Sequence, residues 1–71
     1  MTTKRLKNIL AEIQYLYLDN LNKGWPKLES YDSSVRQVFL KVGKLDSEDA
    51  SLLCETLNDL RDEWGINETI N

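Results

Sequence analysis

Between Leu6 and Leu21 the apolar residues fall at steps of three and four, a spacing that only a helix turns into one buried face. Leu6, Ile9, Leu10, Ile13, Leu16, Tyr17 and Leu21 cover a sector roughly 140° wide at about 100° per residue, a full core-facing stripe. Thr2 or Thr3 is placed to cap the start. Asn22-Lys23-Gly24 supplies the stop, with Gly24 suited to the left-handed position beyond the last turn. A first helix over about 3–22 is predicted, and nothing later in the chain alternates as a strand.

The second segment opens on Trp25-Pro26, and proline suits the first position of a helix, where its missing N–H costs nothing. Leu28, Tyr31, Val35, Val38, Phe39 and Val42 keep helical spacing up to Gly43, which predicts a second helix over 26–42. Asp32-Ser33-Ser34 complicates it. Three capping residues in a row allow either one continuous helix or a short turn followed by a fresh start near 33. All three are poor in helix interiors, which tips the reading towards a break near 32–33.

A third helix over 46–64 has clear punctuation. Asp46 caps it, Leu45 is placed to staple onto Ala50, and Leu53, Leu57, Leu60 and Trp64 form its buried stripe. Gly65 closes it, and a Schellman turn there would lay Ile66 back on Leu60. Three helices with short connections make an all-α three-helix bundle, one domain over 1–71, with 66–71 expected as a flexible tail.

Seventy-one residues sit in the range where one core supplies only about 3–5 kcal/mol unless something else helps. A single cysteine, Cys54, excludes an intramolecular disulfide, and the absence of histidine excludes the usual Cys/His zinc sites. A lone thiol suits a reducing compartment, so a cytoplasmic setting is expected. The N-terminus has basic residues but no unbroken apolar run behind them, and no stretch approaches the roughly 20 residues of a membrane span.

Charge is unevenly spread. Residues 1–45 hold eight bases and four acids, whereas 46–71 hold eight acids and one base, Arg61, so the net charge of -3 conceals +4 against -7. Asp46, Glu48 and Asp49 are accounted for by the positive end of the helix dipole. Glu55, Asp59, Asp62 and Glu63 are not. Glu55–Asp59 and Asp59–Glu63 are like-charge pairs four apart, each costing about 0.2–0.5 kcal/mol, and Asp62 and Glu63 stand where the dipole prefers cations. Either the ridge is a solvated face, or it is a docking surface for a basic partner protein, with Leu52 as the apolar contact. Single-helix carboxylates without a loop rarely supply calcium's six to eight oxygens, so no metal and no cofactor is expected.

Two further groups are left over from the core. Ala11, Tyr15 and Leu18 lie on the side of the first helix opposite its stripe. Either the third helix or the Trp25 loop folds over them, or they make a protein contact, most simply a homodimer through the first helix. Tyr31 and Trp64 are expected to complete the core, Trp25 to be available as an interface anchor, and Cys54 to sit inert at the edge of the buried stripe.

With no histidine, no phosphate-binding glycine loop and no partner to activate Cys54, catalysis is not expected. The Gly43-Lys44-Leu45-Asp46 turn has the outline of a helix-turn-helix, which makes a DNA-binding regulator one alternative. Its reading helix would then be the acidic one, which phosphates repel, so nucleic acid is a poor partner. A homo-oligomeric structural component is the other alternative. The leading expectation is a small acidic protein-interaction module, a regulator or inhibitor whose third helix docks on a basic protein surface such as the groove of a nucleic-acid-handling enzyme or a toxin.

Overall fold

The Thr2 hydroxyl accepts a hydrogen bond from the Arg5 amide at 3.1 Å, and the 20-residue helix α1 (Thr3–Asn22) follows from that cap. The structure is a computed structural model describing residues 2–66. Helix α1 ends as its glycine predicts: Gly24 takes φ 91°, while the Gly24 and Trp25 amides bond back to the Leu21 and Asn20 carbonyls. Pro26 falls one position earlier than expected, as the cap itself, and α2 runs over Lys27–Val42. Helix α3 runs over Ser47–Glu63, with the Asp46 carboxylate accepting from the Asp49 amide at 2.9 Å. Among the described residues there is no strand. The architecture is an all-α three-helix bundle.

Helix α2 is unbroken, which corrects the expected interruption near 32–33. The capping side chains are engaged along the helix instead of ending it. The Ser34 hydroxyl donates to the Ser30 carbonyl at 2.6 Å, the Gln37 side-chain Nε2 donates to Ser33 Oγ at 3.1 Å, and Asp32 pairs with Arg36 Nε at 3.1 Å. Serine bonded to the carbonyl four residues back stays compatible with a helix. The propensity penalty is a fraction of a kcal/mol per residue, small against the packing of the face that holds Ser34 and Val38.

That face also corrects the expected stripe of α2. Ser30, Tyr31, Ser34 and Val38 are buried, whereas Leu28 and Phe39 are exposed. The reason is the closeness of α1, which makes its nearest backbone approach to α2. Ser30 and Ser34, both at 0% exposure, let the two backbones come together where larger side chains would hold them apart. The helices run antiparallel: Lys41 near the end of α2 pairs with Glu12, and Asn20 at the end of α1 lies buried near Ser30 at the start of α2.

Helix α3 returns alongside and is held by larger side chains. Leu53 and Leu57 join Ile9, Ile13 and Val38 in one cluster, with Leu6, Leu10, Leu16, Leu45 and Leu60 packed around it. Burial of an Ile or Leu of this kind stabilises by about 1.5–3 kcal/mol. A second cluster gathers Tyr17, Tyr31 and Ile66, with Trp64 half-buried against it. Trp64 stacks on Tyr17 with centroids 4.8 Å apart and planes 12° from parallel, and meets Tyr31 edge-on at 6.1 Å.

Gly65, at φ 69°, makes the Schellman turn expected after α3, the Ile66 amide bonding to the Arg61 carbonyl at 2.9 Å. Ile66 is then carried into the aromatic cluster, where it is 4% exposed, in place of the expected seat on Leu60. It therefore belongs to the core and not to the expected tail, whose remaining residues 67–71 lie outside the described ones. Cys54 is exposed, against its expected place at the buried edge, because the core takes Leu53 and Leu57 from the neighbouring face of α3.

Candidate functional site

Asp46, Glu48 and Asp49 occupy the cap and first turn of α3, where the N-terminal N–H groups and the dipole favour acids. Further along, Glu55, Asp59, Asp62 and Glu63 are all exposed. Four residues of helix rise about 6 Å, so Glu55, Asp59 and Glu63 form a regular ladder with Asp62 beside it. Leu52, at 41% exposure, stands at the near end of the ladder as a partly accessible apolar group.

The ion pairs seen among the described residues are Lys23–Asp19, Arg36–Asp32 and Lys41–Glu12, all on α1, α2 and the turn between them. Arg61 is the one base on α3. Its guanidinium lies 5.9 Å from the centre of the Tyr31 ring, and the residue lines a groove between α2 and α3 with Leu28, Glu29, Tyr31 and Asp32.

The back of α1 is open. Tyr15 is 69% exposed and Leu18 49%, with Ala11 also exposed, so neither α3 nor the Trp25 loop covers them. Trp25 is itself exposed at the turn after α1. Trp25 stands in the turn beyond the end of α1, and the acidic ridge lies on α3.

A third surface was not anticipated. Leu40 is the most exposed large apolar residue described, at 84%, and with Val35, Arg36 and Phe39 it lines a shallow apolar cleft on α2. Its signal was present in the sequence. Leu40 falls outside the apolar rhythm of α2, and Ser30 and Ser34, four apart, mark a face built for close approach.

Among the described residues no group of three His, Cys, Asp or Glu side chains is placed to hold a metal ion, and no helix is long and apolar enough to cross a membrane. Comparison with known protein families, curated proteins and solved structures finds no match.

Proposed function

We propose that this chain is a non-enzymatic interaction module, a regulator or inhibitor that docks the acidic face of α3 on a basic surface of another protein. The observation that carries this reading is the exposed ladder of Glu55, Asp59, Asp62 and Glu63, with like charges four residues apart on α3. Such an arrangement costs stability within the chain, and a basic partner would repay it. Leu52 supplies the apolar contact and the carboxylates supply steering and polar contacts. Ala11, Tyr15, Leu18 and Trp25 form a second exposed surface within the same reading. The cytoplasmic setting belongs to it as well, resting on the single cysteine.

The test pairs capture with charge reversal. Wild type and the variant Glu55→Lys/Asp59→Lys/Asp62→Lys are immobilised at equal density and exposed to host lysate, and captured proteins are then purified and titrated directly. The expected result is a basic protein held by wild type, released as salt rises, and not held by the triple variant, whose helical circular dichroism is unchanged. A partner retained equally by the triple variant at physiological salt overturns the reading.

A further inference from the structure

We infer that the outer face of α2 is a two-fold docking surface for a second copy of this chain. Leu28, Asp32, Arg36 and Leu40 are spaced by four, so they form one row along the helix, and all four are exposed. The order along the row is apolar, acidic, basic, apolar. Turned end for end about a two-fold axis between Asp32 and Arg36, the row meets itself with every contact matched. Leu28 faces the partner copy's Leu40, and Asp32 faces its Arg36.

Local detail supports that register. Asp32 already holds Arg36 through Nε at 3.1 Å, which orders both side chains and leaves the terminal guanidinium nitrogens to donate to a facing carboxylate. The cleft lined by Val35, Arg36, Phe39 and Leu40 lies between two adjacent rows of the helix, the kind of groove into which a facing helix lays a ridge. Leu28 of a second copy is the side chain that the two-fold brings to it. An unrelated partner would have no reason to require a row that reads the same after reversal and charge exchange. The contact uses none of the α3 ridge, so it stands independently of the docking function proposed above.

Sedimentation equilibrium of the whole chain, from about 1 µM to about 1 mM, tests this. Wild type is expected to form a reversible dimer. Leu40→Glu should weaken it on the order of 100-fold, since the two-fold counts each leucine twice, while helical circular dichroism stays unchanged. Asp32→Arg makes the centre of the row wholly basic and Arg36→Asp makes it wholly acidic. Each alone should lose self-association, and an equimolar mixture should form a heterodimer. The inference is overturned if wild type stays monomeric across the range, if Leu40→Glu associates as wild type does, or if the mixture assembles no better than its components. Association kept in Leu40→Glu but lost in Tyr15→Glu would move the contact to α1 and overturn it equally.

Discussion

The Tyr31 hydroxyl donates a hydrogen bond to the Leu57 carbonyl at 2.9 Å, a buried link between α2 and α3 across 26 residues of sequence. Around it, α3 is held by side chains more than by close backbone approach, which here belongs to α1 and α2. Tyr31→Phe removes the donor and keeps the ring against Trp64. The Leu57 carbonyl retains its place in the helix ladder, so the cost is that of one net hydrogen bond, about 0.5–1.5 kcal/mol. In a domain of this size that lowers Tm by roughly 4–8 °C per kcal/mol. A thermal melt showing no loss would mean that this bond contributes nothing to the docking of α3.

The same tyrosine predicts an alkaline limit to stability. Burial raises the Tyr31 hydroxyl above its ordinary value of 10.0; the nearby Arg61 charge opposes the shift and Cys54 adds to it. Tyr17 is raised by burial too. A group with a raised folded-state pKa binds its proton more tightly when folded. Its contribution is therefore complete below pH 10.0 and is lost as pH rises through the folded value. Urea midpoints measured from pH 9 upward should fall beyond about pH 10, and Tyr31→Phe should flatten that fall. An equally steep decline in the phenylalanine variant would assign it to other groups.

Ser34 tests the close approach of α1 and α2. Its hydroxyl bonds only to the Ser30 carbonyl of its own helix, so Ser34→Ala should change stability by less than about 0.5 kcal/mol. Ser34→Leu adds volume at a site with no exposure and should cost about 1–3 kcal/mol or more as the helices are pushed apart. Chemical denaturation of both variants separates the readings. If leucine stabilised the chain, the interface would be underpacked at this point and the serine pair would not be setting the helix separation.

These residues also mark how far the sequence could be read. Helix ends were legible because caps act locally: Thr2, Asp46, Gly24 and Gly65 lie where their chemistry places them. The buried faces of α1 and α3 were legible because each has a continuous apolar stripe at helical spacing, Leu6 to Leu21 on one and Leu53, Leu57 and Leu60 on the other. Helix α2 was not, since its apolar residues divide between two faces and its buried face includes two serines. Hydropathy registers how much a residue gains by leaving water, not how close two backbones need to come. The acids of the ridge were legible as charges, and their exposure follows from charge alone. The α2 row is not legible because Leu28 keeps the apolar rhythm of a core face, and only the close approach of α1 sets the rotation that exposes it.

Asp59 lies between Glu55 and Glu63, four residues from each, so one substitution tests whether the ridge is strained. Asp59→Lys removes two like-charge pairs and creates two attractive ones, a gain of about 0.8–2 kcal/mol at low ionic strength. The effect should shrink as salt rises, because exposed pairs are screened over about 10 Å at 0.1 M. Thermal melts at about 0.01 M and about 1 M salt therefore should differ for the variant and wild type in a defined way, with a higher Tm for the variant only at low salt. A variant that melted lower at low salt would show that the fold compensates Asp59 already. The acidic ladder would then be ordinary surface, with no unmet charge for a basic partner to satisfy.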